Sequence, residues 1–215
     1  MAIEGDVRFL SHRDCMRLVV RAAVRAALPL AYTRGFNPHP ILSLPAPRPV
    51  AVASRGELVV LALNEPLAPD QIVERINAHV PRGMTFTGAR PLARGEKPHP
   101  RRIRYDWPIP QEQRDRLREK VAAFVAAASW TIERRPNPKR RGQTTPPKTL
   151  DLKPLVETLA VRGPGLSWTL VPSGDLWARP AEVLDALGLD GPVDLASAVR
   201  TEVNYTLSDT DSMNP

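Results

Sequence analysis

Proline occupies 24 of the 215 positions, and its placement limits what each segment of this chain can become. The ring fixes φ and removes the backbone N–H, so proline ends helices and is confined to turns, first helical positions and strand edges. The share is roughly twice the ordinary value of about 5%, and it is clustered. Pro38, Pro40, Pro45, Pro47 and Pro49 stiffen one loop and the strand edge after it. Pro98 and Pro100 mark one expected linker, and Pro136, Pro138, Pro146 and Pro147 mark a second.

Between these joints the hydrophobic periodicity predicts the elements. Residues 6–10 (DVRFL) alternate as a strand and meet Ser11, which with Asp14 three positions on makes a capping-box-like helix start. Met16, Val19, Val20, Ala23, Val24 and Ala27 recur at helical spacing until Pro29. Extended stretches follow at 41–52 and 57–63, with SRG at 54–56 as the turn between them. A helix over 69–79 and a strand over 84–92 complete the order strand, helix, strand, strand, helix, strand, which is that of a split βαβ, ferredoxin-like unit. After a linker at 93–102, a similar set of elements spans 103–207 and contains a basic loop at 134–148. Its expected strands lie at 103–108, 130–134, the KTLDLKPLV stretch, 166–171 and 199–207, with helices at 111–128 and 180–187. The expectation is therefore an α+β protein of tandem, duplicated ferredoxin-like units with antiparallel sheets. The first unit is residues 1–92, and residues 208–215 form a disordered tail.

Composition narrows the chemistry. With 42% apolar and 25% charged residues, the chain has enough apolar material for a core without disulfides or metals. The single cysteine, Cys15, excludes an intramolecular disulfide and a Cys-only zinc site. It also excludes the three-cysteine cluster of a radical-SAM enzyme within this chain. No apolar run of about eighteen residues occurs, and the first residues lack a basic and then apolar leader, which leads us to expect a cytoplasmic protein without a membrane partner. The net charge of +7 rests on 25 Arg against only 5 Lys, and arginine grips phosphates through its planar fork. Residues 1–153 hold 27 basic and 14 acidic side chains (+13), whereas residues 154–215 hold 3 and 9 (−6).

The most informative stretch is residues 8–40. Its RFLSH-x-D at 8–14, LPLAY at 28–32 and GFNPHP at 35–40 resemble the signature of the bacterial radical-SAM-linked protein family, a domain of unknown function found alone or fused behind a radical-SAM enzyme. KTLDLKP at 148–154 and ARPAEVLDALGL at 178–189 extend the likeness along the chain. Arg13 departs from the family pattern, which more often has an apolar residue there. The resemblance implies a radical-SAM enzyme as partner and says little about biochemistry.

The residues themselves leave three readings open. Arg13, Arg17, Arg21 and Arg25 are spaced four apart, so they share one helix face about 18 Å long. That stripe is a solvated face, a phosphate-contacting surface for tRNA or rRNA, or a docking face for an acidic protein. Arg34, Asn37, Lys139, Arg140 and Arg141 extend the candidate RNA contacts, and the helix start at His12 favours an anion. The GFNPHP loop is either a structural turn or a rigid platform presenting Asn37 and His39. His12 and His39 together would suit general acid–base cleavage of RNA without a metal. No metal site is expected, because the four histidines match no standard ligand spacing. No cofactor motif is present either. The leading reading is a non-catalytic accessory module, RNA-binding or substrate-presenting, that works with a radical-SAM enzyme. A metal-independent endoribonuclease and a protein-docking adaptor are the alternatives.

Overall fold

In the computed structural model, which describes residues 1–93, 95–134, 146–188 and 195–209, the chain is α+β with mostly antiparallel pairing. Its backbone divides into two compact units, residues 1–101 together with the last strand, and residues 102–198. In the first unit the elements are β1 (Ala2–Ile3), α1 (His12–Arg25), β2 (Leu42–Ser43), β3 (Ala53–Ser54), β4 (Val60–Leu61), α2 (Pro69–Asn77) and β5 (Met84–Thr85). The strand β6 (Glu96–Pro108) contains the boundary between the units. The second unit adds α3 (Arg114–Ala126), β7 (Thr131–Arg134), β8 (Lys148–Asp151), β9 (Val156–Arg162), β10 (Gly165–Leu170) and α4 (Pro180–Ala186). Then β11 (Val199–Asp209) returns to the first unit.

Within the first unit, β5, β1, β3, β11 and the opening half of β6 lie side by side. The β1–β3 and β1–β5 pairs are antiparallel, and β11 runs parallel to β3 with Arg200 opposite Ser54. A βαβ unit would bring the strand after α1 back into the same sheet, parallel to β1. Here that strand, β2, pairs with β4 in a separate two-stranded sheet, and Ile3 faces Ser54 in antiparallel register. The strand after α3 likewise leaves for its own ribbon, β7 with β8. The pairing therefore differs from the tandem ferredoxin-like arrangement. The physical reason in the first unit is proline, since Pro45, Pro47 and Pro49 delete ladder donors and cut the expected 41–52 strand to two residues.

A stretch stripped of donors still carries carbonyl acceptors, and two buried arginines donate to them. Arg200 donates from Nη2 to the Ala46 carbonyl at 2.8 Å and from Nη1 to that of Pro47 at 3.4 Å. Its Nε reaches Glu57 Oε1 at 2.9 Å, and Nη2 also bonds Oε2, so a fully buried ion pair fastens β11 beneath the proline segment. Arg48 donates to the carbonyls of Pro49 at 3.0 Å, Arg8 at 2.8 Å and Val52. It thereby ties the proline segment to the RFL motif. That motif is a 3-10 turn at Gly5–Phe9 rather than a strand, and the strand is the short β1 before it, paired on both sides by β3 and β5.

The 93–102 stretch, expected as a linker, is largely strand, because β6 begins at Glu96. Pro98 and Pro100 are two residues apart, so both missing N–H groups fall on the same edge and the opposite edge keeps its bonds. Ser208 and Asp209, expected in the tail, prolong β11.

The second unit packs more regularly. Ile103, Tyr105 and Trp107 of β6 alternate onto one face with Leu166, Trp168 and Leu170 of β10, and all six are buried. Tyr105 stacks on Trp168 with ring centroids 5.4 Å apart. Leu117, Val121 and Phe124 supply the buried face of α3, which packs against β9. Lys153 Nζ closes the end of α3 by donating to the carbonyls of Phe124 and Val125 at 3.0 and 3.1 Å.

Candidate nucleic-acid interface

Helix α1 is fixed at both ends. At its start Ser11 Oγ accepts the Asp14 N–H at 3.2 Å and donates to Asp14 Oδ2 at 2.7 Å, as the sequence spacing predicts. That hydroxyl, followed by Arg17, holds the Asp14 carboxyl below the usual carboxylate range. Asp14 thus supplies a negative charge to the helix N-terminus from within the chain. At the other end Leu28 N–H bonds the Ala23 carbonyl at 3.1 Å and Ala27 N–H that of Val24 at 3.0 Å, a Schellman closure with Ala27 at φ 49°. Arg75 of α2 donates to the carbonyls of Ala26 and Ala27 at 3.1 and 2.8 Å. Cys15, Val19, Ala22 and Ala23 form the buried face, so the orientation of the opposite face is set by packing.

That opposite face carries the arginine row. Arg13, Arg17, Arg21 and Arg25 are all exposed. Arg17 pairs with Asp14 at 3.3 Å, whereas Arg13, Arg21 and Arg25 have no carboxylate within 4 Å among the described residues. An exposed pair of the first kind is worth little, about 0–1 kcal/mol, so these charges contribute little to holding the fold together.

Seven residues beyond Arg25, at Tyr32, the backbone turns into an exposed loop. Tyr32 bridges Pro40 in antiparallel sense, Thr33 N–H donates to the His39 carbonyl at 2.8 Å, and His39 N–H donates to Thr33 Oγ1 at 3.0 Å. Gly35 takes φ 130°, a conformation L side chains rarely adopt, and lets the tip turn. Every residue from Thr33 to His39 is exposed, including the candidates Arg34, Asn37 and His39.

His12 is placed differently. It lines a small cleft with Ile3, Cys15, Leu44, Arg48 and Glu57, and His39 is not among the lining residues. No hydrogen bond joins His12 to His39 among the described residues, so no observation favours the two-histidine cleavage reading. The other polar groups of the cleft are engaged in structure: Glu57 holds Arg200, and Arg48 holds carbonyls. Burial pushes the Cys15 thiol up, against the opposing pull of Arg48 3.9 Å away, which disfavours the nucleophilic thiolate there. Among the described residues, no group of three His, Cys, Asp or Glu side chains is placed to hold a metal ion. Lys139, Arg140 and Arg141 lie outside the described residues, as does most of the basic loop at 134–148.

The structure also contains functional geometry that the sequence reading passed over. Arg48 and Arg200 read as two more surface cations, yet both are buried. The available signal was position, since Arg48 is flanked by Pro47 and Pro49 and Arg200 opens an alternating strand. Phe36 lies within the GFNPHP motif, where its turn-rich neighbours hide it as a site candidate, and it is fully exposed.

The fold and surface together define an α+β protein with a one-sided arginine helix followed by a stiffened, exposed loop, and among its described residues no helix is long and apolar enough to cross a membrane. The chain belongs to a family described as an uncharacterised protein conserved in bacteria (DUF2344), whose model matches residues 2–177. The matched span includes both the arginine row and the loop. No curated protein sequence matches the chain.

Proposed function

We propose that the protein is a non-catalytic accessory module that binds tRNA or rRNA through the exposed face of α1 and presents it to a radical-SAM enzyme. The observation that carries the RNA half is the unpaired row Arg13, Arg21 and Arg25 on a helix whose orientation is fixed by packing and by caps at both ends. Three guanidiniums that are in no ion pair among the described residues can displace counterions from a phosphate backbone. The row spans about 18 Å by helix rise, enough to meet several successive phosphates of an RNA strand or helix. The enzyme half rests on the resemblance of residues 8–40 and on the single cysteine, which leaves the cluster chemistry to another chain.

Titration with total tRNA at rising salt tests the first half, and binding that weakens steeply with salt is expected. Absence of binding at low salt would refute it. Co-purification with the radical-SAM enzyme, with and without nuclease, tests the second half. Retention that survives nuclease while tRNA fails to bind would instead mark the protein as a docking adaptor.

A further inference from the structure

We infer that the 32–40 loop is a stacking finger for one unpaired nucleobase, with Phe36 as the platform. This rests on the RNA-binding reading of α1 and adds to it the form of nucleic acid recognised. Phe36 is the most exposed large apolar side chain among the described residues, standing wholly in solvent. The loop that holds it is stiff: two hydrogen bonds and a bridge close its base, and Pro38 and Pro40 fix φ on the descending arm. A preformed loop loses little conformational freedom on binding, so a ring placed this way is ready for contact.

The surroundings of the ring select its ligand. Arg34, Asn37 and His39 lie within three residues of Phe36 in the chain, all exposed, and bring a cation and hydrogen-bonding groups to the same loop. One ring among polar neighbours suits one flat π system better than an extended apolar protein surface. The loop follows the α1 arginines directly in the chain, within the same compact unit, so the nearby charge is complementary to a nucleic-acid backbone. In a duplex both faces of every internal base are covered by stacking. An unpaired base in a single strand, bulge or loop offers the face that Phe36 can take.

The test uses the full chain, a single-stranded RNA oligonucleotide and a blunt RNA duplex of the same length, with Phe36→Ala and Phe36→Trp. Because Phe36 stands wholly in solvent, both variants should fold, which an unaltered circular dichroism spectrum checks. Phe36→Ala is expected to weaken single-strand binding by roughly 5- to 150-fold, the range for losing one base–aromatic stack, while duplex binding and the salt slope stay unchanged. Phe36→Trp is expected to keep single-strand affinity and to show indole fluorescence quenching on binding. If RNA binds but Phe36→Ala changes neither probe, the finger is overturned and the α1 reading stands. If neither RNA binds the wild-type chain, both fall. A Phe36→Trp signal that responds to the radical-SAM enzyme and not to RNA would overturn the finger in favour of a protein contact.

Discussion

Replacing Arg200 with alanine tests whether the proline segment is held by buried guanidiniums. The change removes the bidentate bond to Glu57 and the donors to the carbonyls of Ala46 and Pro47. Glu57 is 3% exposed at its side chain and would remain buried without its counter-ion. Breaking such a pair from one side costs about 3–5 kcal/mol, and each orphaned carbonyl adds about 1 kcal/mol or more. Against a typical domain stability of about 5–15 kcal/mol, the variant should retain at most a fraction of its resistance to unfolding. Urea denaturation followed by tryptophan fluorescence and by circular dichroism measures this, with the midpoint shift as the readout at unchanged slope. Arg200→Met combined with Glu57→Leu should recover much of the loss, because no charge is then left buried, but the two carbonyls stay unpaired and recovery is incomplete. A loss below about 1 kcal/mol for Arg200→Ala would refute the reasoning, since an exposed pair would behave that way.

Further expectations concern other joints of the fold. Gly83→Ala should destabilise by about 1–3 kcal/mol or more, because Gly83 sits at φ 90° and a Cβ there would lie 2.5 Å from the Glu4 carbonyl oxygen; thermal unfolding reads it. Burial pushes the Tyr205 phenol up to about 12. Its folded value lies above the unfolded value near 10, so its contribution is full below about pH 10 and is lost as pH rises toward 12. Tyr205→Phe should flatten the alkaline limb of a stability–pH curve. The Asp151 carboxyl is held below the usual range by the backbone N–H groups of Trp130 and Lys153, at 2.8 and 3.0 Å. Its contribution is therefore full above about pH 4 and is lost as pH falls through the lowered value, and Asp151→Asn should make the acid limb shallower. Cys15 should react with a thiol reagent slowly in the native protein and rapidly in urea, because it is 3% exposed and burial keeps it protonated.

How much of this was legible in the sequence depended on whether the signal was local. The start of α1 followed from Ser11 and Asp14 and its arginine face from four-residue spacing, and both hold in the structure, whereas the helix expected to run to Ala27 and stop at Pro29 ends at Arg25 and leaves Val24 and Ala27 exposed. The GFNPHP stretch forms a loop whose base is closed by hydrogen bonds, an arrangement that its turn-forming residues made legible. Non-local pairing was not legible. Nothing in the alternation of VRTEVNYTL says that it lies parallel to Ala53–Ser54, 146 residues earlier by the Val199–Ala53 register, rather than on its neighbour in sequence. The charged, proline-bearing EKPHPRR was read as a linker because proline frequency outweighed proline phase. The split of charge at residue 153 likewise does not follow the units, because β11 belongs to the first. Buried Arg48 and Arg200 escaped notice because their function is to answer carbonyls that proline leaves unpaired, a demand visible only once the backbone is folded.

The most direct test of the α1 interface is the salt dependence of RNA affinity for the wild-type chain and for the triple variant Arg13→Gln, Arg21→Gln, Arg25→Gln. With each phosphate contact worth about 0.7 in slope on single strands and about 0.9 on duplex, the triple variant should lower the slope of log K against log salt by roughly 2–3. Arg17→Gln alone should lower it by less, because Asp14 already shares that charge. Equal slopes for the wild-type chain and the triple variant, with RNA still bound, would contradict the assignment of this face.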